Sequence, residues 1–323
     1  MTLLEVRHLD VGYPIAGAGI FARSRILPIV HDSNLSLDSG RTLGVVGESG
    51  CGKSTLGRAL LRLIKPTSGA VFWQGQDMAE MRADTLRRRR SEMQIIFQDP
   101  VAALDPRMTI GRIVSRPLAT FEPGLSRAEL NTRAVESLRL VGLSADFANR
   151  YAHELSGGQA QRVGIARAII GSPKLIICDE PVSALDVSIQ AQVVNLLMDL
   201  QDQLGLALVF ISHNLAVVRH ISHDVMVMCL GRVVETAKRD AFYARPLHPY
   251  SQALMRAVPE PDPKREKGRI GQSLPGELPS ALNPSPGCVF ASRCPLAQPR
   301  CQAERPELRD FGGRQAACHF IEG

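Results

Sequence analysis

Several kinds of segment are missing from this chain of 323 residues. No run of eighteen apolar residues occurs, so no transmembrane helix is expected. The opening Met1-Thr2-Leu3-Leu4-Glu5-Val6 has no basic segment, apolar core or cleavage site, so no secretory signal is read. No internal repeat or low-complexity stretch stands out, which argues against solenoids and biased linkers. No two cysteines form a C-x-x-C pair, so the usual zinc-ribbon spacing fails. A net charge of +6 would allow contact with nucleic acid. Yet the densest basic run, Arg87-Arg88-Arg89-Arg90, has no interleaved aromatics and reads as a solvated helix end. No nucleic-acid partner is expected. The length supports a substantial core and one accessory region.

What is present begins with Gly47-Glu48-Ser49-Gly50-Cys51-Gly52-Lys53-Ser54-Thr55, which fits G-x-x-x-x-G-K-S/T. It follows the apolar run Leu43 to Val46 and opens a helix-like run from Thr55 to Leu63, the strand–loop–helix setting of a phosphate-binding loop. Gly50 and Gly52 permit torsions that a Cβ would penalise, so successive N–H groups can face phosphate oxygens. Lys53 is expected on the β- and γ-phosphates and the Ser54 hydroxyl on Mg²⁺, with a favourable dipole from the helix N-terminus.

Further along, Leu155-Ser156-Gly157-Gly158-Gln159 leads into a helical pattern with apolar Val163, Ala166 and Ile170. Ser-Gly-Gly ahead of a helix is either an ordinary N-cap or a second phosphate-facing device made of a hydroxyl, glycine amides and a positive helix end. Lys174 to Glu180 is a buried-strand pattern ending in two acids, Asp179 and Glu180, as expected at the carboxyl edge of a parallel sheet. Ala207 to Ser212 is another apolar run, followed by His213. Met93 to Phe97 precedes Gln98.

In this order the motifs resemble those of the ATP-binding-cassette (ABC) ATPases. The resemblance implies an α/β fold: a RecA-like core with an antiparallel β subdomain and a helical subdomain at about 98–170. It also implies the site roles. Asp179 would support Mg²⁺ together with Ser54 and Gln98. Glu180 would be the general base, with Gln98 and His213 placing the water at the γ-phosphate. Tyr13, after an opening strand Leu3 to Leu9, would stack on adenine. Ser156, Gly157, Gly158 and Gln159 would close over ATP held by a second subunit, and Ser183 to Asp186 would communicate between the two sites. One phosphate loop and one signature are half of each composite site, so the chain must pair.

After about residue 240 prolines break up any long element. Leu247-His248-Pro249-Tyr250-Ser251-Gln252-Ala253-Leu254, Leu274 to Ser280, and Gly287 to Pro295 resemble the C-terminal segments of oligopeptide and dipeptide importer ATPases. Phe97-Gln98-Asp99-Pro100 and Leu104-Asp105-Pro106-Arg107 resemble the same group, with Asp105 and Ala103 as departures. The organisation expected is a cassette at 1–240 and an extension at 241–323.

Cys51, Cys178 and Cys229 fall in motif or strand positions and read as small apolar residues in a reducing compartment. Cys288, Cys294, Cys301 and Cys318 crowd the C-terminal region, which argues for metal over disulfides in a cytosolic chain. The importer group implies a possible 4Fe–4S cluster on these four thiolates; zinc, free thiols and disulfides stay open. Lying far in sequence from every nucleotide motif, this tail is expected to be structural or regulatory with no electron-transfer duty in hydrolysis, and Cys294→Ser to leave ATP binding largely intact.

The resemblance implies an ATPase subunit of an importer for peptides or related solutes. It would lie on the cytoplasmic face of the inner membrane, with two permease subunits, a homologous ATPase partner in preference to a second copy, and a solute-binding protein indirectly. A soluble ABC ATPase of the phosphonate-degradation type is the alternative, and a repair or translation cassette a third.

Overall fold

A computed structural model describes residues 2–15, 25–258 and 286–321. The segment Leu274 to Ser280, and the prolines between 259 and 284, lie outside the described residues. Contacts group the chain into two units. One holds Leu37–Thr42 and Gln74–Ser212; the other holds Leu4–Ser36, Leu43–Trp73 and His213–Gly323. The expected division at 240 follows the motifs, whereas contacts join the C-terminal extension to the N-terminal strands.

In the first unit the strands Met93–Ile96, Leu175–Asp179 and Ala207–Ser212 run parallel, with Ile95 opposite Ile177 and Ile177 opposite Val209. Every residue of the latter two strands is buried, the pattern of strands covered on both faces. Between the first two lie the helices Ile110–Phe121, Arg127–Leu140 and Gly157–Ile169, which pack on one another. This is the helical segment expected near 98–170. Its middle helix starts where a capping box predicts: Ser126 Oγ accepts the Glu129 N–H (3.3 Å) and Glu129 Oε2 accepts the Ser126 N–H (2.7 Å). The arginine run ends a short helix, Ala83–Arg89, that buries nothing and pairs with Asp84 and Glu92.

The second unit carries an antiparallel pair, Thr2–Ile15 with Ser68–Trp73, and a parallel pair, Thr42–Val46 with Asp224–Cys229. Asp224–Cys229 turns back through Leu230 and Gly231, both at positive φ, into Arg232–Lys238. That strand in turn pairs with Gln315–Ala316 from the tail. The nucleotide-loop helix is Lys53–Leu60, shorter than the expected run to Leu63, because the chain leaves the helix at Leu61 and enters positive φ at Arg62. Beyond 240 the helices are brief: Arg239–Ala244, Pro249–Arg256 and Pro299–Ala303. Among the described residues no helix is long and apolar enough to cross a membrane.

Candidate functional site

In the second unit the loop from Gly47 joins the strand Thr42–Val46 to the helix Lys53–Leu60. Gly50 sits at φ 80° with open space around it, and Gly52 caps the helix at φ 100°. Side chains at these positive φ values would be strained, which is why glycine stands at both. Ser49 and Gly50 are exposed at the mouth; Cys51 and Lys53 are buried. The Lys53 ammonium donates to the carbonyls of Gly47 (2.8 Å) and Glu48 (2.9 Å). Ser54 and Thr55 begin the helix. Tyr13 Oη lies 3.4 Å from Thr55 Oγ1, so the proposed adenine-stacking ring stands beside the loop. It reaches there from within a strand that runs on to Ile15, not from a loop after Leu9.

Burial pushes the thiols of Cys51, Cys178 and Cys229 upward and keeps them protonated. They behave as the small apolar residues expected.

In the first unit Asp179 ends the strand Leu175–Asp179, 2 % exposed, and Glu180 follows at 9 %. Glu180 stands at φ 47°, a left-handed backbone costing a non-glycine residue about 1 kcal/mol or more. Its N–H donates to the Ile211 carbonyl (3.0 Å), and its own carbonyl accepts the Ser183 hydroxyl (3.0 Å). These bonds turn the carboxylate out of the strand line. Gln98 Nε2 donates to Glu180 Oε2 at 3.4 Å, so the two groups expected to place a water do meet.

Ser156 is the N-cap of the helix Gly157–Ile169, in a full capping box with Gln159. A Cβ at Gly158 would come within 2.8 Å of the Ile189 side chain, which would have to shift to admit it. Asp186 caps the next helix, Val187–Leu204, through the Ile189 N–H (2.9 Å); that bond holds its carboxyl below the usual range. His213 is exposed after the strand Ala207–Ser212, ahead of a helix capped by Asn214.

Two residues of the tail, not assigned to the site from sequence, touch the phosphate loop. Arg293 donates to both Glu48 oxygens (2.9 and 2.7 Å), and Tyr250 Oη accepts the Glu48 N–H (2.9 Å). Distance in sequence therefore does not keep the tail away from the phosphate loop in space. A buried carboxylate fixes the segment: Glu235, fully covered, accepts the N–H groups of Leu247 and His248, each at 2.8 Å.

Cys288, Cys294, Cys301 and Cys318 all line one small cavity beside Phe290. Among the described residues, however, no group of three or more His, Cys, Asp or Glu side chains is arranged to hold a metal ion. The space itself, about 10 Å³, admits no more than a water. The expected metal-binding cysteine cluster is not supported; burial pushes the thiols of Cys288 and Cys294 upward.

Comparison with known proteins adds the following. The ABC transporter family matches residues 30–183, and the oligopeptide/dipeptide transporter C-terminal region matches 234–301. The oligopeptide transport ATP-binding protein OppF of Salmonella typhimurium is 54 % identical over 322 residues, 99 % of this chain and 96 % of that protein. The dipeptide transport ATP-binding protein DppF of Escherichia coli is 46 % identical, covering 99 % of this chain and 95 % of its own. Among solved structures, the ATP-binding cassette MJ0796, a dimer in a post-hydrolysis state bound to ADP and Pi, superposes with a TM-score of 0.65. It is 30 % identical and covers 73 % of this chain and 99 % of that one.

Proposed function

We infer the working of this protein from its family: the chain belongs to the ABC transporter ATPases, among the ATP-binding subunits of the oligopeptide and dipeptide type. Its function is ATP hydrolysis that powers an importer for peptides or related solutes. The full-length likeness to OppF and DppF, tail included, carries this reading over a soluble, non-transporting ATPase.

Hydrolysis at such a site depends on positioning and charge neutralisation more than covalent chemistry. Lys53 and the loop amides take the β- and γ-phosphate oxygens, Ser54 and Asp179 hold Mg²⁺ with Gln98, and Tyr13 stacks on the base. Mg²⁺, when bound, supplies further charge neutralisation. Glu180 accepts the proton of the attacking water, with Gln98 and His213 orienting it; the Gln98–Glu180 hydrogen bond supports the first of these pairings. Ser156, Gly157, Gly158 and Gln159 complete the site on a second subunit's nucleotide.

The partners we propose are a homologous ATPase in preference to a second copy, two permease subunits, and a solute-binding protein acting through them. The chain would then sit peripherally on the cytoplasmic face of the inner membrane. For the tail, the one small cavity lined by four thiols supports a joint structural role.

The test is Glu180→Gln in the complex with its partners. Losing a transition-state interaction of about 3–4 kcal/mol slows turnover by on the order of 10²–10³ while ATP binding persists and a closed dimer accumulates. Near-normal hydrolysis would remove Glu180 from the role of base.

A further inference from the structure

Glu48 occupies a variable position of the phosphate loop, yet four hydrogen bonds join it to the tail. Arg293 grips its carboxylate with both terminal nitrogens, the fork geometry that fixes direction as well as distance. The Arg293 side chain is 3 % exposed and Glu48 24 %, so the pair is largely shielded from solvent screening. Tyr250 Oη accepts the Glu48 N–H and lies 3.3 Å from Glu48 Oε2. Tyr250 is itself fully buried against Phe290, with ring centroids 5.3 Å apart, and Arg293 lies over the same Phe290 ring at 5.6 Å.

The other end of the chain of contacts is Lys53. Its ammonium is held by the carbonyls of Gly47 and Glu48, which belong to the two peptide groups on either side of the Glu48 Cα, the first of them carrying the Glu48 N–H. Fixing Glu48 by both its side chain and its N–H therefore fixes the two carbonyls, and through them the height at which the Lys53 ammonium meets a phosphate.

We propose that Arg293 and Tyr250 are positioning residues for the phosphate loop, so that nucleotide affinity depends on the folded tail. The proposal rests on the ATPase reading above and adds a residue pair to it. A clamp of this kind acts on the loop before nucleotide arrives. It preorganises the ground state and leaves the hydrolytic step to other groups, so its loss belongs in affinity and not in turnover.

The experiment is MgATP binding by calorimetry, with steady-state hydrolysis by the assembled complex, for wild type, Arg293→Ala, Arg293→Lys and Tyr250→Phe. Arg293→Ala should raise Kd and KM for MgATP on the order of tenfold, with kcat at saturating ATP within about twofold of wild type. Arg293→Lys, which keeps charge but not the fork, should fall between. Tyr250→Phe keeps the ring against Phe290 and should weaken binding less; it also reads the proposal if Arg293→Ala does not fold. In a double-mutant cycle with Glu48→Gln, the two losses should not add. Wild-type affinity in a folded Arg293→Ala or Tyr250→Phe protein would overturn the clamp, as would a fall in kcat at unchanged Kd. Failure of the wild type itself to bind MgATP would instead remove the ATPase reading.

Discussion

His248 sets a pH limit on the tail that can be measured. It is 1 % exposed, and its Nδ1 accepts the Tyr250 N–H at 3.0 Å as the N-cap of the helix Pro249–Arg256. Burial lowers its pKa to about 4, against an opposing hydrogen bond to the Ala317 backbone; the unfolded chain keeps a value of about 6.5. The unfolded state therefore binds the proton first as pH falls. Stability from neutral, buried His248 is complete above pH 6.5, drains away between 6.5 and 4, and is constant below. The gap of about 2.5 pH units, at about 1.4 kcal/mol each, gives a loss of about 3 kcal/mol at the acid end and about 2 kcal/mol by pH 5. His248→Asn keeps a capping acceptor and removes the titration. Thermal melts at pH 7 and pH 5, followed by the fluorescence of buried Trp73, should show wild type losing roughly 4–8 °C more than the variant. Equal losses in the two proteins would refute a buried neutral imidazole at this cap.

Three further outcomes are expected. Lys53→Ala should abolish tight MgATP binding, seen as loss of fluorescent-nucleotide binding, where Glu180→Gln retains it. Tyr13→Ala should weaken ATP binding by about three- to tenfold and Tyr13→Phe should not, if the ring stacks on the base; equal affinities would leave Tyr13 as a neighbour of Thr55 only. Cys294→Ser, adjacent to Arg293, should loosen the tail to proteolysis and weaken nucleotide binding in the same direction as Arg293→Ala. Iron and zinc analysis of the same protein purified without oxygen decides whether the thiols hold metal.

The elements that carry a strong local signal were legible before any coordinates. The loop at Gly47 to Thr55, the two all-buried strands, the capping box at Ser126 and the N-cap at Ser156 each follow from spacing, hydrophobic run or cap chemistry within a few residues. The left-handed backbone at Glu180 was not legible, because glutamate gives no local sign of positive φ; the bonds to Ile211 and Ser183 impose it. Nor was the grip of Arg293 on Glu48, since the two are 245 residues apart and neither belongs to a pattern that names the other. Spacing within the tail pointed to four cysteines acting together, and they do share a cavity. Their arrangement for metal does not follow from spacing, which bounds how close side chains can come without saying how they turn.

The Ser156 hydroxyl accepts the Gln159 N–H at 3.3 Å while Gln159 Oε1 takes the Ser156 N–H at 3.0 Å. An oxygen already committed as acceptor to its own helix keeps a single proton to offer elsewhere. Folding thus uses one lone pair of this side chain, and in the proposed composite site an incoming phosphate would use its proton. Asparagine or aspartate here satisfies the helix equally well. Yet aspartate would meet a phosphate with charge of the same sign, and neither offers a hydroxyl. Threonine supplies both. Under the proposed role of Ser156, secondary-structure stability and nucleotide recognition would therefore be separable at one atom.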